Sequence, residues 1–311
     1  MAEFLVTGGA GFIGSNIAES LAARGHSVRV LDNFLTGKKE NLAALKGRVE
    51  FVEADLRDLN AMRRACEGVR FVIHQAALPS VPRSVADPIL SNDINVTGTL
   101  NALVAARDAT VERFVFASSS SVYGDTPELP KRETMPPHPI SPYGLQKLTG
   151  EMYCRLFWEL YRLPTVALRY FNVFGPRQDP QSEYAAVIPR FVTMMLRGHS
   201  PTIFGDGTQS RDFSFVENVV ESNLAACRAG KAAFGNAYNI ALGDRISLLE
   251  FVGMLNEILG TKIEPKLTAP RAGDILHSQA DIAAAVNDLK YKPTVNFREG
   301  LRRTVEWYRK K

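Results

Sequence analysis

A chain of 311 residues is about twice the usual single-domain length, which leaves room for one large layered domain or two smaller ones. Hydrophobic residues make up 45% and charged residues 23%, average globular proportions that exclude a disordered, collagenous or coiled-coil chain. The formal net charge is only +4, with basic residues scattered along the chain, so nucleic acid is not expected as a partner while a cleft for a small anion is allowed. The three cysteines, Cys66, Cys154 and Cys227, are odd in number and far apart. That argues against a disulfide framework or zinc knuckle and fits a reducing cytoplasm. Met1, Ala2 and Glu3 alone precede the first apolar run, so no signal peptide is expected. No apolar stretch approaches the ~18 residues of a membrane span.

Taken in chain order, residues 4–7, 27–31, 49–53, 70–74, 114–117 and 165–170 are β-branched or aromatic runs of strand length. Between them residues 13–24, 59–67, 89–107 and 142–161 carry apolar side chains three and four apart, the spacing of a helix face. The alternation predicts a doubly wound parallel α/β sheet, the Rossmann arrangement. After Tyr170 the rhythm changes: loops lengthen around 175–184 and 205–211, and strands at 201–204 and 237–240 stand isolated between helices. A smaller, discontinuous C-terminal α/β domain is expected. The division reads as 1–171 plus 214–242 for one domain and 172–213 plus 243–311 for the other, with a helix beginning near Val216 returning to the first.

Gly8, Gly11 and Gly14 follow the first strand and open the first helix. Missing Cβ atoms at these spacings let the backbone turn tightly and approach a diphosphate, whose charge meets the positive end of the helix. A glycine triplet by itself also suits a tight turn without ligand, but its place in a strand-to-helix junction favours a dinucleotide. Eighteen residues past Gly14 the second strand ends in Leu31-Asp32-Asn33. A carboxylate there accepts from both ribose hydroxyls and repels a 2′-phosphate, which favours NAD over NADP. Asp55-Leu56 and Gln75-Ala76-Ala77 follow the third and fourth strands, where ligands of open sheets bind.

Ser141-Pro142-Tyr143-Gly144-Leu145-Gln146-Lys147 opens a helix with Ser141 as cap and Pro142 at the first helical position. Tyr143 and Lys147, four apart, share a face. An ammonium beside a phenol favours the phenolate, so the spacing predicts a tyrosine usable as a base near neutral pH. The run Ser118-Ser119-Ser120-Ser121 closes the strand before that helix and offers a hydroxyl to the oxygen that Tyr143 deprotonates, although serines at a strand end also serve as plain caps. Glycine fingerprint, acidic ribose ligand, strand-end serine and Tyr-x-x-x-Lys fall in the right order on the right elements.

With these motifs the chain resembles the extended short-chain dehydrogenase/reductases, and among them the nucleotide-sugar epimerases, closest to UDP-glucose and UDP-N-acetylglucosamine 4-epimerases. The matching segments include TGGAGFIGSN from Thr7, LDNFLTGK from Leu31, HQAALPSVPRS from His74, SSSSVYGD from Ser118, SPYGLQK from Ser141, RYFNVFGPRQDP from Arg169, FGDGTQSRDF from Phe204 and RAGDILHSQAD from Arg271. The resemblance implies Ser119, Tyr143 and Lys147 for catalysis. For NAD it implies Gly8, Gly11, Phe12, Ile13, Gly14, Asp32, Asn33, Thr36, Gly37, Asp55, Leu56, Gln75, Ala76, Ala77, Asn95, Ser118, Tyr170 and Val173, with Tyr143 and Lys147 shared. For the UDP-sugar it implies Ser80, Ser119, Ser120, Tyr143, Asn172, Val187, Arg211, Arg271, Asp274 and Ser278. The arginines suit a diphosphate, and a serine at 278 leaves room for an acetamido group at the sugar's 2-position.

The implied reaction oxidises the sugar at C4, lets the 4-keto sugar swing about its bond to the anchored diphosphate, and reduces it on the other face. Sister dehydratases and decarboxylases place an acid beside the active-site serine or threonine. Ser120 and Ser121 stand there instead, so those reactions are disfavoured. Epimerisation of UDP-glucuronate is the nearest rival. A silent NAD-sensing regulator is another, marked by loss of the serine, tyrosine or lysine, and all three are present. His26, His74, His138, His199 and His277 are dispersed, so no metal site is expected. The resemblance also implies a homodimer formed through the helices near 90–107 and 142–161, although Leu156, Phe157 and Leu160 would serve equally as core.

Overall fold

The computed structural model describes residues 2–181, 186–270 and 276–311. Six strands of the first half are β1 (Phe4–Thr7), β2 (Val28–Asp32), β3 (Glu50–Glu53), β4 (Phe71–His74), β5 (Arg113–Ser119) and β6 (Thr165–Tyr170). A seventh, Asn236–Ile240, joins them from the second half, and the order across the sheet is Asn236–Ile240, β6, β5, β4, β1, β2, β3. Every pairing in that sheet is parallel. The connection reverses direction between β1 and β4, and ligands of open α/β sheets bind in the crevice outside the strand ends at such a point. The register lines up those ends, with Thr7 opposite Leu31 and His74, and Ser119 opposite Tyr170.

Strand side chains alternate between two apolar layers. Val115 and Ala117 of β5 face a cluster with Ile17 and Leu21, whereas Phe114 and Phe116 face one with Ala102, Leu103 and Cys154. The first layer rests on α1 (Phe12–Ala23), the second on α2 (Leu59–Cys66), α5 (Gly98–Asp108) and α6 (Pro142–Tyr161). Apart from α5, these bounds match the sequence reading to within one or two residues. β5 runs on through Ser118 and Ser119 instead of stopping at Ala117.

The pattern at 89–107 is interrupted. α3 (Val81–Ala86) and α4 (Pro88–Asn92) precede a π turn at Asp93–Thr97, and only then does α5 begin. Space explains the positions: a Cβ on Gly98 would lie 2.9 Å from the Leu56 Cβ, so only a glycine lets the helix pass this close. Within the π turn Asn95 bonds outward to neighbouring segments. Residues 283–289 are helical, ending as a π turn at Ala285–Leu289, and the Asp281 carboxylate accepts from the Ala283 N–H at 2.9 Å where the segment starts.

α8 (Val216–Arg228) places Val219, Val220 and Leu224 in the sheet's first layer. A separate aromatic cluster of Phe174, Phe191, Phe213, Phe215, Phe251 and Phe297 organises α7 (Val187–Leu196), α9 (Leu248–Leu259) and α10 (Phe297–Arg309). α9 starts with a reciprocal capping box between Ser247 and Glu250. Among the described residues no helix is long and apolar enough to cross a membrane.

Candidate functional site: a dinucleotide cleft with a Tyr-Lys pair

Two cavities flank the strand ends. The larger, about 560 Å³, is lined by Gly8, Gly11, Phe12, Ile13 and Gly14 of the fingerprint, and by Asp32, Thr36, Gln75, Ala76 and Ala77. Ser80, Ser118, Tyr143, Lys147 and Tyr170 complete that wall. Geometry explains the glycines. Gly8 has φ +67°, where side chains are strained, and a Cβ there would lie 2.6 Å from the Ala76 Cα; one on Gly14 would lie 2.2 Å from the Gly8 carbonyl oxygen. The helix begins at Phe12 with no side-chain cap and no acidic residue in its first turn, which leaves its N–H groups to an anion.

The Asp32 carboxylate accepts from the Ala10 N–H at 2.9 Å and the Phe34 N–H at 2.8 Å. Burial still pushes its pKa up. Gly37 packs so closely that a Cβ would come within 2.8 Å of that carboxylate. An adjoining recess is lined by Asn33, Asp55, Leu56 and Ala76. There the Arg57 guanidinium grips Asp55 and holds its carboxyl down at about 2, and Asn33 donates to it at 2.8 Å. The cradle therefore fits a dinucleotide, whose diphosphate would lie at the glycines and whose ribose would lie at Asp32. Ser80 sits on the wall at φ +135° and caps α3 by accepting from the Arg83 N–H at 3.3 Å. Gln75 donates to the Tyr170 hydroxyl at 2.9 Å.

At the other end of this cavity Tyr143 and Lys147 share a face of α6, the ammonium 5.7 Å from the phenol ring centre. Ser141 caps the helix by accepting from the Gly144 N–H at 3.1 Å. One expectation is reversed. Burial pushes the Tyr143 phenol up to about 12, with the hydrogen bond from Ser119 working against it, and the Lys147 ammonium donates to the Ala117 carbonyl at 2.8 Å. Desolvation outweighs the charge the spacing suggested. It also holds Lys147 down at about 8, opposed chiefly by Glu151.

Two residues absent from the sequence reading support this pair. Glu151, one turn beyond Lys147, accepts from the Ser118 hydroxyl and from the Arg169 guanidinium through two contacts of 2.9 and 2.7 Å. Arg169 donates in turn to the Tyr123 hydroxyl at 2.8 Å. Both charges are buried, with side chains 5% and 8% exposed. The i+4 spacing of Glu151 from Lys147 was visible; its strand partner was not. His74 is bracketed by Thr7 and Thr99 at 2.8 and 3.1 Å and burial holds it down at about 3, so it is a neutral part of the core.

The second cavity, about 310 Å³, is lined by Asn172, Val173, Val187 and Arg211. Asn172 adopts φ +33° and donates to the Asp212 carbonyl at 3.0 Å. Arg211 donates to the carbonyls of Ser210 and Leu276. Val173, expected at the dinucleotide, lies on this wall instead. Asn95, also expected there, is buried behind the wall: its amide accepts from the Leu78 N–H at 2.7 Å and donates to Gln146 at 2.8 Å. It fixes the wall's backbone. Ser119 touches Tyr143, whereas Ser120 starts a 3₁₀ turn, Ser120–Tyr123, and lines neither cavity. Ser278 is half-buried and its N–H donates to the Ser210 carbonyl at 3.0 Å. The helical segment that follows is capped by Asp281, whose carboxylate accepts from the Ala283 N–H at 2.9 Å. Arg271 and Asp274 lie outside the described residues.

Known proteins resemble this chain over nearly its whole length. A putative UDP-glucose 4-epimerase of Methanocaldococcus jannaschii is 42% identical over 97% of both chains. The structure of a UDP-N-acetylglucosamine 4-epimerase from Methanobrevibacter ruminantium, in complex with UDP-N-acetylmuramic acid, superposes with a TM-score of 0.94 at 39% identity, covering 99% of this chain and 98% of that one. The UDP-glucose 4-epimerase of Thermotoga maritima with UDP-glucose gives 0.93 at 40% identity, with the same coverage. The model of the NAD dependent epimerase/dehydratase family matches residues 4–241, the span that holds the glycine cradle, Asp32 and the Tyr143–Lys147 pair. The chain therefore belongs to the NAD dependent epimerase/dehydratase family, with NAD as its cofactor.

Proposed function

We propose that the protein is a UDP-hexose 4-epimerase that interconverts UDP-glucose with UDP-galactose and UDP-N-acetylglucosamine with UDP-N-acetylgalactosamine through a 4-keto sugar. The observation that carries this is Tyr143, hydrogen-bonded to Ser119 and backed by Lys147, at the end of the dinucleotide cavity, with serines and no acid at 120 and 121. Bound NAD supplies reversible acceptance of hydride and, when oxidised, a cationic ring. Tyr143 then takes the proton of the sugar 4-hydroxyl and later returns one to the new alcohol, while Ser119 holds the same oxygen. Lys147 keeps a positive charge near the developing phenolate. Asn172, Arg211, Arg271 and Asp274 are assigned to the UDP moiety, and Val187 to the UDP-sugar as a whole. Firm grip on UDP with few fixed contacts to the hexose is what a sugar that must turn over requires.

In this reading residues 1–171 plus 214–242 bind NAD and 172–213 plus 243–311 bind the UDP-sugar. A homodimer through the helices near 90–107 and 142–161 is supported by the exposure of Ile89, Met152, Leu156 and Leu160, which are 82%, 56%, 45% and 67% accessible, whereas Phe157 is core at 4%. The test is to incubate the purified protein separately with UDP-glucose, UDP-N-acetylglucosamine and UDP-glucuronate and resolve the products by chromatography. The C4 epimers of the first two are expected; turnover of UDP-glucuronate alone would refute the assignment. Ser278→Tyr should cost activity on the acetamido sugar about tenfold more than on UDP-glucose, because a bulky ring would occupy the acetamido space. Equal losses would remove Ser278 from the sugar pocket.

A further inference from the structure

We propose that residues 175–179, which follow the sheet's sixth strand, strap the dinucleotide into its cavity, with Arg177 as a cationic partner of the diphosphate and a Lys38–Asp179 ion pair across the rim. The inference rests on the assignment of NAD and not on which sugar is bound.

Lys38, Arg177, Gln178 and Asp179 border the same 560 Å³ cavity as Gly8, Gly11 and Gly14. Lys38 belongs to the fingerprint side, since its N–H donates to the Ala10 carbonyl at 3.0 Å. Its ammonium meets the Asp179 carboxylate at 2.7 Å, with the two side chains 49% and 33% exposed. An exposed pair of this kind adds little to folding; its effect is to join two distant segments at the rim of the site.

The segment is pinned elsewhere too. Asn16 of α1 donates to the Pro176 carbonyl at 3.1 Å, the Tyr308 hydroxyl of α10 donates to the Gln178 carbonyl, and Arg177 pairs through Nη2 with Glu19 of α1. Arg177 adopts φ +72°, a conformation rare outside glycine and found where surrounding contacts impose it. Its Nη1 is buried and has no acceptor among the described residues. A guanidinium fixed on one side and unsatisfied on the other, at the edge of a phosphate cradle, is completed by an anion, and its fork suits phosphate oxygens. The α1 N-terminus supplies only about half a positive charge against the two negative charges of a diphosphate. Turnover that leaves the cofactor in its starting redox state has no need to release it, so a strap costs the reaction nothing.

The test is cofactor retention. Wild-type protein, Asp179→Asn, Lys38→Gln and Arg177→Gln are stripped of nucleotide, reloaded with NAD and followed for its release through a coupled dehydrogenase assay, with circular dichroism of the stripped forms as a fold control. Asp179→Asn and Lys38→Gln are expected to release NAD about tenfold faster, and Arg177→Gln to weaken binding by about tenfold or more. The salt dependence of release should shrink in each variant. Release and affinity within about twofold of wild type in Asp179→Asn and Lys38→Gln would overturn the strap, whatever the folding of Arg177→Gln. Wild-type protein that holds no NAD would instead sink the cofactor assignment.

Discussion

Gly14→Ala isolates the geometry of the cradle from the chemistry of the reaction. A Cβ at Gly14 would lie 2.2 Å from the Gly8 carbonyl oxygen and 2.9 Å from the Gly9 Cα, whereas carbon and oxygen in ordinary contact keep about 3.2 Å or more. The loop must move by about 1 Å, a displacement of backbone that costs about 1–3 kcal/mol in a packed setting. Alanine is the better helix former by about 1 kcal/mol, and Gly14 lies inside α1, so part of that cost is offset in the free protein. The N–H groups that would face the diphosphate have no such compensation. NAD affinity is therefore expected to fall about tenfold or more, one decade for each 1.4 kcal/mol. Calorimetric titration of stripped protein with NAD reads the affinity, and thermal unfolding without NAD reads the fold. Gly253→Ala is the control: it lies on α9 with nothing within 4 Å of an added Cβ, so it should stabilise the chain by about 1 kcal/mol and leave NAD binding unchanged. A Gly14→Ala protein that binds NAD as tightly as wild type would refute the close-approach argument.

Three further outcomes are expected. Tyr143→Phe should lower turnover by about 10²–10⁴-fold while UDP affinity survives, because the base is lost and the diphosphate ligands are not; near-normal turnover would sink the proton-transfer role. The Lys147 ammonium, held down at about 8, loses its charge as pH rises through that value, so the rate at saturating substrate should fall with increasing pH above it. A profile flat to about pH 10 would contradict a requirement for the charged form. Denaturing the purified protein should release chiefly NAD, and Asp32→Ser should raise NADP affinity relative to NAD by removing the charge that faces a 2′-phosphate; an unchanged ratio would free Asp32 from that role.

The sequence by itself determined the local features. Glycine spacing, the Ser141-Pro142 start of α6 and the acid that ends β2 are all set by neighbours within a few residues, and each stands where the pattern put it. The i+4 relation of Tyr143 and Lys147 is likewise a property of any helix. What the tertiary structure decided are the matters that need two distant segments at once. Asn95 reads as a ligand in a motif, yet the π turn aims its amide at Leu78 and Gln146. Arg169 comes from β6 to meet Glu151 of α6, and Arg177 and Asp179 reach α1 and Lys38. The phenol of Tyr143 shows the reason most directly. Its neighbours on the helix argued for a lowered pKa, but desolvation depends on everything packed around it and pushes the group up. Spacing along one element fixes which side chains share a face; burial and the partners across the fold fix what charge those side chains carry.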